Sequence, residues 1–169
     1  MGDPKRPKKK YAAPRNPWQS DQLAQELYLL GNYGLRNKRE LWKAQTQLSK
    51  IRKQARKLLA APAEIRALAE KKLLQSLRTA GLVGPESALD DILSLTVENF
   101  LERRLQTIVL KKGLAKSPYQ GRQMITHGHV EVRGRVVTIP SYPTRAAEEG
   151  TVRIRDDSPL AKVTSPAAA

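Results

Sequence analysis

The segment 37–60 has the most regular pattern in the chain and constrains the fold more than any other stretch. Its apolar residues recur at alternating steps of three and four, which places them on one stripe of an α-helix. Asn37 precedes the pattern and Glu40 follows three residues later, the order of a capping box at a helix start. The stripe consists of Leu41, Ala44, Leu48, Ile51, Ala55 and Leu58.

The other sides of this predicted helix are basic, and Glu40 is its only acidic residue. Pairing between opposite charges one turn apart is therefore nearly absent, which argues against an ordinary solvated face. A helix lying on a membrane surface is an alternative, although its apolar side would be expected to carry Trp, Phe and more Leu. We favour an apolar stripe packed inward and a basic face that binds phosphate groups.

The charge of the whole chain supports a polyanionic partner. Lys and Arg number 31 against 16 Asp and Glu, a formal net charge of +15 that opposes folding by self-repulsion. Residues 1–60 carry 15 basic and 4 acidic side chains, and residues 101–135 carry 8 and 2. Residues 61–100 carry 4 basic and 6 acidic side chains, and residues 136–169 carry 4 of each. Two basic blocks around a near-neutral spacer predict two contact surfaces for nucleic acid.

Composition divides the chain into four predicted parts. Residues 1–17, rich in Lys and Pro, are expected to form an extended basic arm that orders on its partner, with a nuclear import signal as the alternative. Residues 18–100 are predicted to be a helical region, and residues 101–155 a second domain. Residues 156–169 match no pattern and are expected to form a flexible tail.

Two further helices are predicted before residue 100. The first starts at Ser20 and ends at the sequence GNYGL, and its apolar side carries Leu23, Leu27 and Leu30. The second follows Pro62 and ends at Gly81, a residue type that commonly terminates helices. Its apolar face is formed by Leu68, Leu73, Leu74 and Leu77.

Several functional classes are excluded by composition. The chain contains no cysteine, so disulfides and thiolate metal sites are ruled out. No stretch approaches the 18 or so apolar residues of a membrane span, and no apolar leader follows Met1. We therefore expect a soluble intracellular protein. Glu86, Asp90 and Asp91 suggest either a metal site or negative charge at a helix N-terminus, and we favour the second.

From residue 97 the pattern predicts two helices followed by a small twisted sheet. The first helix covers 97–113, and the second covers 117–127, opening with a serine cap followed by proline. Met124 and Ile125 are predicted to face inward. The predicted fold class is therefore α+β and mainly helical. The strands are predicted over 129–132, 136–139 and 151–154.

His127 and His129 lie close together and suggest a metal or acid–base site as an alternative. A metal site would lack a third ligand, because the nearest acid, Glu131, would share a strand face with His129 only. A catalytic histidine also needs an oriented partner, and none is indicated. Both imidazoles are instead candidates for stacking on a nucleic acid or hydrogen bonding to its backbone. We predict no catalytic residue, no metal and no cofactor.

The stretch 101–142, LERRLQTIVLKKGLAKSPYQGRQMITHGHVEVRGRVVTIPSY, resembles the RNA-binding domain named after the S-four protein of the small ribosomal subunit. The stretch 33–45, YGLRNKRELWKAQ, is similar to archaeal and eukaryotic forms of that protein, as is the Ile-Pro-Ser-Tyr ending. The resemblance covers residues 18–155 and identifies the chain as a member of the S-four family of archaeal type. The markers are Arg104-Leu105, Gly113, Ala115, Ser117, Gly121-Arg122-Gln123, HGHVEV-x-GR and Glu149-Gly150.

The resemblance implies a structural constituent of the small ribosomal subunit, located in the cytoplasm and without a membrane or enzymatic role. It implies a primary binder of small-subunit ribosomal RNA at a multi-helix junction of the 5′ domain, which nucleates assembly near the messenger RNA entry path. The implied neighbours are proteins of the S-five and S-three families. Several bacterial members hold zinc with cysteines that this chain lacks. The alternative is a non-ribosomal RNA-binding protein or an RNA-modifying enzyme that uses this domain.

The candidate RNA-contacting residues are mostly basic and fall into two groups. In the second domain they are Arg103, Arg104, Lys111, Lys112, Lys116, Arg122, Gln123, His127, His129, Arg133, Arg135 and Tyr142. In and just before the segment 37–60 they are Arg36, Lys38, Arg39, Lys43, Lys50, Arg52, Lys53, Arg56 and Lys57.

Overall fold

The structure, a computed structural model, describes residues 9–160 apart from the side chain of Glu64. Eight helices and three strands are formed within this range, so the predicted α+β, mainly helical fold class is confirmed. The helices are α1 (Ser20–Asn32), α2 (Lys38–Leu59), α3 (Ala63–Ala80), α4 (Leu89–Ser94), α5 (Val97–Glu102), α6 (Leu105–Lys111), α7 (Pro118–Thr126) and α8 (Ala146–Glu149). The strands are β1 (Val130–Val132), β2 (Arg135–Val136) and β3 (Arg153–Ile154).

Helix α2 is the central element of the N-terminal half, as its stripe predicted. Its apolar residues enter two clusters, one shared with α3 and α4 and the other with α1 and α5. The side chain of Asn37 accepts a hydrogen bond from the Glu40 backbone N–H at 3.2 Å, which confirms the predicted N-cap. The Glu40 carboxylate does not complete a capping box, because it binds two arginines of the C-terminal half instead.

The C-terminal half is built on a three-stranded antiparallel sheet in the order β2-β1-β3. Helices α6 and α7 contact each other, and their apolar residues share a core cluster with the inward residues of the sheet. Met124 and Ile125 are buried in that cluster, as predicted. The buried members of the cluster are Leu105, Ile108, Val109, Ala115, Met124, Ile125, Val130, Val132 and Val152.

The prediction of one continuous helix over 97–113 is wrong. Arg104 takes an extended conformation (φ −76°, ψ 143°) and forms an isolated bridge with Pro143, which separates α5 from α6. The Leu105 N–H then donates to the Tyr142 carbonyl at 2.9 Å rather than to a carbonyl one turn earlier. The local periodicity could not show this break, because the partner lies about forty residues further along the chain.

The predicted strands are longer than those observed. Strand β1 has only three residues, and the Val137 N–H donates to the Val130 carbonyl at its start, at 3.1 Å. The next residues leave the sheet, and the Ile139 carbonyl accepts from the Tyr142 N–H at 3.1 Å instead. At the other edge of the sheet, the Thr151 N–H donates to the Glu148 carbonyl at 3.0 Å and so belongs to the end of helix α8, which was not predicted. Strand β3 therefore begins only at Arg153.

Two predicted apolar faces are also incorrect in part. Leu27 is 56% exposed and Leu68 is 79% exposed, although both were assigned to packed sides of their helices. At α4, by contrast, the Ala88 N–H donates to the Asp91 carboxylate at 2.9 Å, with Asp90 also in the first turn. The predicted role at a helix N-terminus is therefore confirmed for Asp90 and Asp91, whereas Glu86 lies before the N-cap residue Ala88.

The predicted arm and tail lie partly outside the described residues, at 1–8 and 161–169. Within the described part of the arm, the Tyr11 ring stacks on Trp42 with centroids 5.9 Å apart, and the Ala12 N–H donates to Thr46 Oγ1 at 2.9 Å. These residues of the arm therefore contact α2. Ser158 of the predicted tail is buried. Within residues 9–160 no helix is long and apolar enough to cross a bilayer.

Candidate nucleic-acid interface

A groove of about 1040 Å³ lies between α2, α3 and the segment 141–145. Helix α2 forms one wall, and Lys43, Gln47, Lys50 and Gln54 line it at helical spacing. The opposite walls add the basic side chains of Lys72, Arg103 and Arg145 and the polar side chains of Gln75, Ser76, Thr79 and Ser141. A concave surface with several cations and many hydrogen-bonding groups is suited to the backbone of folded RNA.

The basic face of α2 continues beyond the groove and is open to solvent. Seven of the predicted RNA-contacting cations in this region are exposed, and none has a hydrogen bond or ion pair with another group that the structure describes. Their charges are therefore not neutralised within the described part of the chain. They are Arg36, Arg39, Lys43, Lys50, Lys53, Arg56 and Lys57.

Two other predicted cations of α2 have intramolecular partners. Lys38 Nζ lies 3.0 Å from the carboxylate of Glu26, which is buried and also accepts a hydrogen bond from Trp42 Nε1 at 2.9 Å. Arg52 Nη2 donates to the Leu95 carbonyl at 2.5 Å. Both side chains therefore stabilise contacts between α2 and other parts of the helical region.

Arg104 and Arg122 are held by the Glu40 carboxylate. Arg104 Nη2 lies 2.5 Å from one carboxylate oxygen, and Arg122 Nη2 lies 2.6 Å from the other. Arg104 is buried, with only 7% of its surface exposed. Burial opposes ionisation of Glu40, but the hydrogen bonds from Arg122 and Arg104 outweigh it and lower the pKa of Glu40 below the ordinary 4.5. This ion triad joins α2 to α6 and α7.

Gln106, which contacts Arg122 of the ion triad, also holds the turn between α1 and α2 in place. Gln106 Nε2 donates to the carbonyls of Gly34 at 3.0 Å and Pro118 at 2.9 Å, and Arg122 Nη1 lies 3.3 Å from Gln106 Oε1. Arg122 therefore has intramolecular partners, and its predicted contact with RNA stays a prediction. Its guanidinium is part of the contact between the two halves.

Further predicted residues of the second domain also have intramolecular partners. Arg103 pairs with Glu149 at 2.7 Å, and Lys111 pairs with Glu102 at 3.1 Å. Lys112 Nζ donates to the Val152 carbonyl at 3.0 Å. These contacts leave Lys111 and Lys112 exposed at the surface, while Arg103 is half-buried in the groove wall.

Glu148 organises the predicted residues near the hairpin. The Tyr142 hydroxyl donates to its carboxylate at 3.1 Å, and Arg133 Nε lies 3.7 Å from it. Burial, together with the hydrogen bond and the charge of Glu148, raises the pKa of Tyr142. Arg133 and Arg135 are both exposed, and Arg135 has no partner within the described residues.

The two histidines lie side by side at the end of α7. Their rings are nearly parallel, with an interplanar angle of 10° and centroids 6.2 Å apart. His127 is exposed as the C-cap residue, whereas His129 is half-buried with Nδ1 3.0 Å from Ser158 Oγ. Among the side chains that the structure describes, no group of three potential metal ligands is present. Lys116 and Gln123 complete the exposed polar side of α7.

The sequence interpretation missed several residues of the groove. Gln47 and Gln54 follow Lys43 and Lys50 on the same side of α2, so helical spacing alone could have indicated them. Lys72 belongs to a segment with a slight excess of acid, and this average concealed a basic residue that faces α2 across the groove. Arg145 lies beyond the second basic block and enters the groove only through the tertiary fold.

The sequence matches two described protein families. Residues 5–102 match the family described as "Ribosomal protein S4/S9 N-terminal domain", and residues 103–149 match the family described as "S4 domain". Three similar archaeal proteins are each named "Small ribosomal subunit protein uS4".

The identities to these three proteins extend over nearly the whole chain. The protein of Ignicoccus hospitalis is 52% identical, with 96% of this chain and 98% of that protein aligned. The protein of Hyperthermus butylicus is 51% identical over 96% and 92%, and that of Sulfolobus acidocaldarius is 52% identical over 95% and 92%. The chain therefore belongs to the uS4 family of small ribosomal subunit proteins, in its archaeal form.

Proposed function

We propose that this chain binds small-subunit ribosomal RNA as a primary assembly protein, at a multi-helix junction of the 5′ domain. The observation that carries the proposal is the row of seven exposed, unneutralised cations along α2 and the preceding turn, which borders the basic groove. RNA phosphates supply the missing negative charge without any requirement for base sequence. Membership in a family of structural ribosomal proteins agrees with the prediction that the chain is not an enzyme.

The groove supports recognition of shape rather than of sequence. Its walls come from the helical region and from the second domain, so one RNA junction seated there contacts both. The Glu40 triad and Gln106 hold these two halves in a fixed orientation, which lowers the ordering cost of binding. Exposed Lys116, Gln123, His127 and Arg135 extend the contact along α7 and the hairpin.

The wider setting follows from the same proposal. The chain would act in the cytoplasm as part of the small subunit, beside proteins of the S-five and S-three families and near the messenger RNA entry path. Membership in the uS4 family supports the ribosomal location. The positions of these neighbours are tested by cross-linking within assembled subunits.

The salt dependence of RNA binding tests the central proposal. With about six phosphates neutralised, log K for a 5′-domain RNA fragment falls against log salt concentration with a slope of roughly −5. Replacing Lys50, Lys53 and Lys57 together by Gln reduces the magnitude of that slope by roughly 3. Arg66→Gln is the matched control, since this residue pairs with Glu70 on α3, away from the groove. A slope near zero for the wild-type chain would contradict the proposal.

A further inference from the structure

The described part of the arm is attached to α2 by contacts that involve no ion pair. The Tyr11 ring stacks on the Trp42 ring, with centroids 5.9 Å apart and an interplanar angle of 29°. One residue later, the Ala12 N–H donates to Thr46 Oγ1 at 2.9 Å. Tyr11 is half-buried, so this ring is the point at which the arm is attached to the helix.

The α2 side of this contact is oriented by hydrogen bonds of its own. Trp42 Nε1 donates to the buried carboxylate of Glu26 at 2.9 Å, which sets the orientation of the indole ring. The Thr46 hydroxyl donates to the Trp42 carbonyl at 2.7 Å, so its lone pairs are left to accept from the arm. Helix α2 therefore presents an oriented ring and an oriented acceptor to the arm.

The contact lies beside the exposed cations of α2. Residues three and four apart are neighbours on the surface of a helix, so Arg39 lies next to Trp42 and Lys50 lies next to Thr46. Arg39 and Lys50 both belong to the seven exposed cations that have no partner in the described part of the chain. The arm is therefore attached at the edge of the basic face.

The arm brings further positive charge to this place. Lys9 and Lys10 directly precede Tyr11, and both are exposed without an acidic partner among the described residues. Lys9 Nζ lies 4.7 Å from the centre of the Tyr11 ring, a cation–π contact that keeps this charge next to the stack. Cations that are brought together repel one another, so their proximity raises the free energy of the chain. Phosphates bound between the arm and α2 remove that repulsion by neutralising both groups.

We propose that Tyr11 is a positioning residue for RNA binding. Its stack on Trp42 holds Lys9 and Lys10 beside the basic face of α2, so that one stretch of RNA backbone is bound from two sides. A cation held in place loses less conformational freedom on binding than a cation on a free chain. The inference rests on the proposed function, and it assigns to the arm a fixed place on α2.

Quenching of Trp42 fluorescence by acrylamide measures whether the arm is attached. The chain has two tryptophans, and replacing Trp18, which is 87% exposed, by Phe leaves Trp42 as the only one. In that background, Tyr11→Ala should raise the quenching constant roughly twofold, because the indole face that Tyr11 covers becomes accessible. Tyr11→Phe retains the stack and should leave the constant unchanged. An equal constant for Tyr11→Ala and its parent would overturn the proposal.

Anisotropy titrations with 5′-domain RNA at several salt concentrations measure the effect on binding. Tyr11→Ala leaves the formal net charge at +15, so an arm that acts through its charges alone predicts an unchanged salt slope. If Tyr11 positions two phosphate contacts, the magnitude of the slope should fall by roughly 2 and the affinity at about 0.1 M salt should fall roughly tenfold. Tyr11→Phe should restore both quantities.

A double-mutant cycle separates the positioning of the lysines from their charge. Replacing Lys9 and Lys10 together by Gln should weaken RNA binding in the wild-type background. The same replacement should have little effect in the Tyr11→Ala background, because the lysines there no longer lie beside α2. Equal effects in the two backgrounds would show that the lysines act independently of Tyr11, and the assignment would fail.

Two more variants separate this role from a general loss of folding. Tyr28→Ala removes a ring that is 66% exposed on α1, and it should leave both the affinity and the salt slope unchanged. Thr46→Val removes the acceptor of the Ala12 N–H with a side chain of similar shape. It should change the quenching constant and the slope in the same direction as Tyr11→Ala, and it decides the matter if Tyr11→Ala lowers the melting temperature.

The outcomes distinguish this proposal from the RNA-binding function on which it rests. A salt slope that is steep in the wild-type chain and equally steep in Tyr11→Ala and Thr46→Val would overturn the positioning role alone. A slope near zero in the wild-type chain would contradict RNA binding itself.

Discussion

The ion triad of Glu40, Arg104 and Arg122 allows a prediction of stability whose magnitude follows from its geometry. Both carboxylate oxygens of Glu40 are occupied, at 2.5 and 2.6 Å, and its side chain is only 15% exposed. Removing one partner of a fully buried ion pair typically costs 3–5 kcal/mol, because the other charge is left uncompensated. The residual exposure places Glu40→Gln at the lower end, about 3 kcal/mol at pH 7.

Urea unfolding measures this loss directly. For an m-value of about 2 kcal/mol/M, the midpoint of Glu40→Gln should fall by roughly 1.5 M at unchanged m. The matched control is Glu70→Gln, since Glu70 pairs with Arg66 at 3.3 Å across one turn of α3, with 27% and 41% of the side chains exposed. Such an exposed pair contributes less than about 0.5 kcal/mol, so the control midpoint should barely change.

The pH dependence of the stability difference between wild type and Glu40→Gln tests whether the ionised carboxylate is responsible for it. The folded-state pKa of Glu40 is depressed, so its contribution is complete above the ordinary value of 4.5 and is lost as pH falls through the folded-state value. The difference in urea midpoint between wild type and Glu40→Gln should therefore shrink below pH 4.5. Titration of the carboxylates that both chains share affects the two midpoints equally and does not contribute to this difference. A midpoint within 0.3 M of wild type at pH 7, or a gap independent of pH, would refute the reasoning.

Three further predictions concern single residues. Arg135→Ala should weaken binding to 5′-domain RNA by about 1 kcal/mol in an anisotropy titration. The melting temperature should not change, because the exposed Arg135 guanidinium has no partner among the described residues. A lower melting temperature would contradict this. Gly34→Ala should destabilise by about 3 kcal/mol in urea, since φ is +57° and the new Cβ would lie 2.6 Å from Pro118 Cβ. Gly31→Ala, in open space, serves as its control and should be neutral or stabilising by about 0.5 kcal/mol. Ser117→Ala should cost about 1 kcal/mol by removing the α7 N-cap, and Ser117→Asp should restore it.

Elements specified by nearby residues could be predicted from the sequence. The stripe and N-cap of α2 depend on periodicity and on a side chain three residues from its acceptor, so both are correct. The start of α7 is equally local, with the Ser117 hydroxyl accepting from the Gln120 N–H at 3.2 Å. The fold class followed from these elements, because a sheet of such short strands requires helices to cover it.

The break between α5 and α6 and the face that α1 buries could not be predicted in this way. Leu23, Leu27 and Leu30 have helical spacing, yet α1 is apolar on two sides and periodicity does not say which side packs. The positions of α2 and α5 determine which side of α1 is buried. Leu29 and Leu30 pack against the core cluster that these two helices form, and Leu27 remains exposed to solvent.

The sequence by itself determined the charge of this protein, its two basic blocks and the helices that carry them. The tertiary structure alone decided which cations have an acidic partner and which do not. Glu40 lies 64 residues before Arg104 and 82 before Arg122, and folding brings its carboxylate within hydrogen-bonding distance of both. The exposed cations of α2 meet no such acid in the described part of the chain. Charge pairing depends on distances of a few ångströms, and only the packed fold sets those distances.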